Sequence, residues 1–236
     1  MDVTNGNGSD YIIMARFHGP QISKNDLIFY YDAAKIKSYP GSGTTWTDIS
    51  GKVNNGELTN GPTYGSANNG YIAFDGTDDY VIVNNNADIL STTAYTKTIW
   101  FYITDFTAVN NLMSGTNTAK HALWLDTSTN LKAGHNGAAE YRSVVSTTTL
   151  VVDTWYFGAV SFDTTNGYKL YLNGNLEDSN TRTDTFTGGS SMVLLGSFGA
   201  SNLLEGRIAL AAAYNRVLSG DEIKQNFNAH RARFGI

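Results

Sequence analysis

Asp75-Gly-Thr-Asp-Asp79 is the densest group of carboxylates in this 236-residue chain. Three side chains so close, Asp75, Asp78 and Asp79, offer the hard oxygen ligands that calcium takes. Asp126 is a second choice. The same string also reads without a metal, because an Asp-Gly turn satisfies its own backbone amides. The remaining acidic pairs, Glu177-Asp178 and Asp221-Glu222, trail a hairpin and open a helix. The four histidines, His18, His121, His135 and His230, are widely spaced, and none shows HExxH spacing. Each is expected to be a surface or hydrogen-bonded histidine. No Ser/His/Asp order is convincing, so the sequence offers no activated nucleophile and the chain is expected not to be an enzyme.

Sugar recognition would need exposed aromatics with polar neighbours. Trp100 and Trp155 lie in apolar runs and are expected in the core, where indoles bury much area. Trp124 is expected half-buried, and Trp46 is read as a packing residue. Tyr64, Tyr141 and Arg142 are therefore the residues assigned to an accessible glycan-binding rim.

These groups must be held by strands. Tyr71–Phe74 and Tyr80–Val83 flank the acidic turn as apolar runs. Further strands are expected near 27–31, 96–103, 109–114, 120–126, 131–135, 140–145, 155–163, 167–172, 192–196 and 206–214. Asn173-Gly174 marks a two-residue hairpin, since both positions accept positive φ. The period changes at Ser219-Gly-Asp-Glu222, a capping box. It opens one helix over about 219–232, with Ile223 and Phe227 inward. Arg231 and Arg233 suit the helix's negative pole.

With 41% apolar and 16% charged residues, a net charge of −5 and no cysteine, the chain can build one large core without disulfides. The acidic balance argues against nucleic acid and anionic membranes as partners. Met1 to Ala15 lacks the pattern of a secretory signal, and no span is apolar enough for membrane insertion. Residues 1–26 read as an arm, and 27–236 as one domain that includes the helix. Tyr11, Ile12, Ile13, Met14 and Phe17 are the arm's expected anchoring residues.

The stretch Tyr71-Ile-Ala-Phe-Asp-Gly-Thr-Asp-Asp-Tyr-Val-Ile-Val83 resembles a hallmark of the concanavalin-A-like lectin/glucanase superfamily, in its laminin-G-like branch. Asp48 to Leu58, Lys97 to Tyr102, Trp155 to Asp163, Tyr168 to Gly174 and Gly206 to Ser219 are similar to further landmarks of that branch, in order. The resemblance covers roughly residues 27 to 233. It implies an all-β fold, a jelly-roll β-sandwich of two antiparallel sheets, here with an N-terminal arm and one short C-terminal helix. Glucanases of this fold carry alternating carboxylates on a strand, which put nucleophile and acid/base on one face. No such run is present. Many members bind calcium at a loop rim; the expectation here is no cofactor, with calcium at this turn the one alternative the resemblance leaves open.

Phe17 to Ile22, Leu27 to Ala33, Lys37 to Trp46 and Asn226 to Gly235 are similar to the ends of laminin-G-like proteins in tailed phages of aquatic bacteria. That likeness implies a non-enzymatic virion structural protein, a capsid decoration or tail component, assembled in the host cytoplasm and exposed on the released particle. Its partners would be other virion proteins, or copies of itself, held through the arm. Weak adhesion to host glycans would be an added task. The alternative is a calcium-assisted carbohydrate-binding lectin module, and a glycoside hydrolase ranks third.

Overall fold

The computed structural model describes residues 21–116, 121–136, 141–185, 191–199 and 201–236, without the side chains of Asn86, Tyr141 and Arg142. The expected anchoring residues Tyr11, Ile12, Ile13, Met14 and Phe17 lie outside the described residues, as does His18. The first strands are β1 (Leu27–Asp32), β2 (Thr45–Trp46), β3 (Gly56–Thr59), β4 (Thr63–Gly65), β5 (Tyr71–Asp75) and β6 (Tyr80–Val83). Then come β7 (Ala94–Ile103), β8 (Asn110–Asn111), β9 (Met113–Ser114), β10 (His121–Leu125), β11 (Asn130–Asn136) and β12 (Tyr141–Thr149). The series closes with β13 (Trp155–Asp163), β14 (Gly167–Leu172), β15 (Asn175–Asn180), β16 (Leu194–Leu195), β17 (Glu205–Tyr214) and the helix α1 (Gly220–Asn228).

The strands form two layers, and every pairing is antiparallel. The large sheet runs β15-β14-β13-β7-β17-β5-β4, with β1 also paired to β17. The facing layer is two shorter sheets, β2-β3-β6-β16-β9 and β8-β10-β11-β12. The segment 110–114 joins them: Leu112 N donates to Leu123 O at 2.9 Å, and Gly196 N donates to Leu112 O at 3.2 Å. This is the jelly-roll sandwich that the family resemblance implies, with its second layer divided into two sheets.

Period-2 alternation sorts the side chains. On β5, Ile72 and Phe74 enter the core between the layers, while Tyr71, Ala73 and Asp75 face outward. The outer face of the large sheet carries a second core beneath α1. There Trp100 stacks on Phe234 and Phe227, with ring centroids 4.2 and 5.7 Å away. Strand β17 is buried on both faces, and its run of alanines leaves room for the helix on one side and the sandwich on the other. Trp100 and Trp155 are core residues as expected, Trp46 is fully buried and Trp124 half-buried.

The hairpin at Asn173-Gly174 takes φ of 49° and 75°, and Gly76 in the acidic turn takes 74°. These are the left-handed conformations both turns require. Both capping-box bonds are made: Glu222 N donates to Ser219 Oγ at 3.2 Å, and Ser219 N to Glu222 Oε2 at 3.0 Å. Strands β2, β3 and β4 fall where the sequence predicts none, while β15, the second arm of the expected hairpin, is present but given no bounds by the sequence. They are short or largely exposed, and carry little apolar periodicity. The α-helix stops at Asn228, and a 3₁₀ turn, Arg231–Phe234, follows.

Residues 21–26, the end of the expected arm, lie against α1. Ser23 N donates to Asn226 Oδ1 at 2.8 Å, and Tyr214 Oη donates to Ser23 O at 3.0 Å. Among the described residues no helix is long and apolar enough to cross a membrane.

Candidate functional site

Strands β5 and β6 bring the three turn carboxylates together: ligand oxygens of Asp75, Asp78 and Asp79 lie within 4.8 Å of one another. Part of the cluster serves the turn. Thr77 N donates to Asp75 Oδ1 at 2.8 Å, and Asp75 N donates to Asp79 Oδ2 at 3.1 Å. The second oxygen, Asp79 Oδ1, is buried with no hydrogen-bond partner. Burial raises the Asp79 pKa, and the neighbouring carboxylates Asp75 and Asp78 raise it further. An orphaned carboxylate oxygen beside two exposed carboxylates fits a hard divalent cation, which all three could ligate and which would offset two of their three charges. Asp126, the second choice, is already neutralised. Its burial works upward on the pKa, but the Lys132 ammonium and Ser128 outweigh it and hold the carboxyl low.

The rim assigned to sugar binding does not assemble. Tyr64, on β4, is half-buried against Tyr39, with ring centroids 5.6 Å apart. Tyr141 and Arg142 begin β12, and their side chains lie outside the described residues. Strand β12 packs beside β15, where Glu177 accepts from Thr147 N at 3.1 Å and Thr148 N at 3.0 Å. Since β15 and β4 are opposite ends of the large sheet, Tyr64 and the 141–142 pair sit at opposite margins of the sandwich. Sequence order could not show this, because it follows from which strands are edges.

A cleft of about 640 Å³ opens instead between β1 and the segment after α1. Tyr30, Asp32, His230, Lys24, Lys35 and Ser50 supply its polar lining. Tyr30 Oη lies 3.1 Å from His230 Nε2 and 3.3 Å from Asp32 Oδ2. Arg233 Nη1 donates to Asp32 Oδ1 at 2.7 Å, and the same guanidinium donates to the carbonyls of Asn68 and Gly70. Arg233 therefore ties the chain end to β1 and to residues 68–70, rather than serving the helix pole. Burial lowers the His230 pKa, partly offset by Asp32, and burial with Asp32 raises that of Tyr30. The cleft thus presents a neutral imidazole, a phenol and two lysines. Its one carboxylate is committed to Arg233. Its serine, Ser50, donates to Asp48 Oδ2 at 2.8 Å. Neither a carboxylate pair nor a Ser–His contact is present among the described lining residues.

The other two described histidines belong to a sealed polar chain, a role their spacing did not reveal. Lys97, fully buried on β7, donates from Nζ to Met113 O at 3.0 Å and lies 2.7 Å from His121 Nδ1. His121 Nε2 lies 3.0 Å from Met192 O, and His135 Nε2 2.6 Å from Asp184 O. Carbonyl oxygens can only accept, so both Nε2 atoms carry the proton and both Nδ1 atoms accept. Tyr95 Oη, 3.3 Å from His135 Nδ1, then donates to it. With Lys97 and His121 wholly inaccessible and His135 2% exposed, this chain supports the core and touches no ligand.

Residues 75–224 match the model of a family described as the concanavalin A-like lectin/glucanases superfamily, laminin-G type. Among solved structures the chain is similar to the binding domain of Paraclostridial Mosquitocidal Protein 1, at 17% identity and a TM-score of 0.68, over 87% of this chain and 52% of that one. It is similar to domain 4 of AbnA, a GH43 extracellular arabinanase from Geobacillus stearothermophilus solved with arabinotriose (17%, TM-score 0.66, 85% of this chain and 98% of that one). It is also similar to Trypanosoma rangeli sialidase (15%, TM-score 0.64, 88% and 33%). The chain thus spans about half of the first of these and a third of the last. No curated protein sequence matches it.

Proposed function

The chain belongs to the concanavalin A-like lectin/glucanases superfamily, and on that premise we propose that it acts as a non-catalytic glycan-binding module. The observation that carries the reading is the open cleft of about 640 Å³. It is of the size that holds small ligands. Its neutral imidazole, phenol and lysines can hydrogen-bond sugar hydroxyls, and its single carboxylate is spent. Arabinotriose in the AbnA domain supports the same reading by analogy of fold alone. The test is binding of a panel of neutral and acidic oligosaccharides, followed by calorimetry, with chromatography for cleavage. We expect binding without products, and a roughly tenfold weakening in Tyr30→Phe or His230→Ala. Binding to no sugar would overturn the reading, and released products would overturn its non-catalytic part.

The setting we propose is the surface of a viral particle, reached through residues 1–20. The flanks Phe17 to Ile22 and Asn226 to Gly235 support it through their likeness to phage proteins. Mass spectrometry of density-purified particles tests it: stoichiometric recovery is expected, and absence would exclude a structural role. Deleting residues 1–20 should abolish attachment while sparing Ser23 and its bonds to α1.

Calcium is the cofactor we propose for Asp75, Asp78 and Asp79. At a hundredfold excess over its dissociation constant it should add about 2.7 kcal/mol, or roughly 5–10 °C in Tm for a domain of this size. Asp79→Asn should lose the gain. Equal melting in calcium and in chelator would mean that the turn is purely structural.

A further inference from the structure

We propose that the Arg207 guanidinium, clamped between Tyr71 and Tyr102 on the outer face of the large sheet, receives the carboxylate of an acidic sugar. The proposal rests on the glycan-binding reading above and adds a ligand class and a second contact point to it.

The clamp is built by register. Trp155 on β13 lies opposite Tyr102 on β7, Tyr102 opposite Arg207 on β17, Arg207 opposite Ala73 on β5, and Ala73 opposite Thr63 on β4. The five residues form one lateral row across five strands. Tyr71 stands two residues before Ala73 on the same face. The guanidinium carbon of Arg207 sits 4.7 Å from the Tyr71 ring centroid and 4.4 Å from that of Tyr102. Trp155 braces both tyrosines, with centroids 6.1 and 5.4 Å away, and its Nε1 donates to Asn68 Oδ1 at 3.2 Å. The row continues to Ala73 and Thr63, whose side chains are short and stand on the same face beside the arginine.

Two other arginines, half-buried near α1, spend their donors inside the protein. Arg233 binds Asp32 and two carbonyls, and Arg216 binds Glu222, Ser23 and the Asn25 carbonyl. Among the described residues the Arg207 guanidinium makes ring contacts but no hydrogen bond or ion pair. Three acids are near in the fold, and none pairs with it: Asp75, two residues after Ala73 on the same face, accepts from Thr77 N. Asp153 accepts from Tyr102 Oη at 3.1 Å, and Glu205 is exposed two residues earlier on the same strand. Stacking occupies the flat faces of a guanidinium and leaves its N–H edge for an in-plane partner. A planar carboxylate fits that edge with two parallel hydrogen bonds. The half-buried setting strengthens such a pair relative to open water. Tyrosine rings alongside offer a face for the sugar ring that carries the acid.

The experiment compares a glucuronate-terminated oligosaccharide with its glucose-terminated counterpart of equal length. Affinities are measured by calorimetry for the whole protein and for Arg207→Gln, Arg207→Lys and Ala73→Glu. The unaltered protein should prefer the acidic sugar roughly tenfold. Arg207→Gln should abolish the preference, and Arg207→Lys should lose most of it, because an ammonium keeps the charge but not the planar fork. Ala73→Glu places a competing carboxylate opposite Arg207 and should abolish it as well, with the arginine itself retained. Unchanged binding of the neutral sugar in all three variants reports intact folding and an intact cleft. Equal affinity for the two sugars, or a preference that survives Arg207→Gln and Ala73→Glu, overturns the proposal. Binding of neither sugar overturns the glycan-binding reading, and this proposal with it.

Discussion

Lowering the pH from about 7 to about 4 is expected to cost the fold roughly 3 kcal/mol through His135 alone. Burial pulls the His135 pKa from its ordinary 6.5 down to about 4. Between those two values the unfolded chain binds a proton that the folded one refuses. Stability therefore falls as pH falls through this window, and His135 contributes no further slope below it. His121 works in the same direction, lowered by burial and then by the Lys97 ammonium. Lys97 is itself lowered well below 10.5 by burial, so its contribution improves toward alkaline pH. Asp184 and Arg182 act on His135 with opposite signs, and Tyr95 and Tyr168 are the remaining titratable groups against the chain. Asp79, whose pKa is raised, opposes the trend by taking its proton more readily when folded. Urea unfolding at several pH values between these limits gives the slope directly. A flat profile would mean that the histidines titrate normally, which their burial forbids. Replacing both by Gln, which keeps polar atoms without a titrating proton, should remove most of the slope and leave the part due to His230, whose pKa burial also lowers.

Arg233→Met is expected to destabilise the protein by about 3–5 kcal/mol, the range for removing one partner of a buried ion pair. Asp32 is 2% exposed, and the Arg233 side chain is 9% exposed. Without the guanidinium the Asp32 carboxylate keeps the Ala34 amide at 3.0 Å, the Tyr30 hydroxyl and a distant Lys35. The carbonyls of Asn68 and Gly70 lose their donor at the same time. Lys35→Met is the control. Its ammonium lies 3.9 Å from Asp32 on a side chain that is 53% exposed, and such pairs contribute about 0–1 kcal/mol. Equal losses for the two variants in chemical denaturation would refute the ranking.

The layer architecture was legible in the sequence because turns and periodicity are local. Asp75-Gly76, Asn173-Gly174 and Ser219 to Glu222 each determine their own backbone, and each does so here. The sites were less legible, because they depend on which strands become neighbours. Tyr64 and Tyr141 looked equivalent as loop-flanking tyrosines, yet they end on opposite margins. Arg207 was a lone cation inside an apolar strand, and only the register sets it between Tyr71 and Tyr102. Lys97 lies in the expected strand 96–103, and nothing local marks it as buried. Its burial follows from β7 lying in the middle of the large sheet with a layer over it. The acidic turn was legible as a cluster, but the orphaned oxygen of Asp79 was not.

The position of β17 in the large sheet has a kinetic consequence. This strand joins β7 to β5 and also pairs β1, yet it follows all three in the chain. During synthesis β7 and β5 must wait with unpaired edges until residues 205–214 have left the ribosome. Such edges invite pairing with other chains. Contacts of such sequence separation also close slowly. The large sheet can therefore complete only after nearly the whole chain has been made, and a chain halted before residue 205 should aggregate rather than fold.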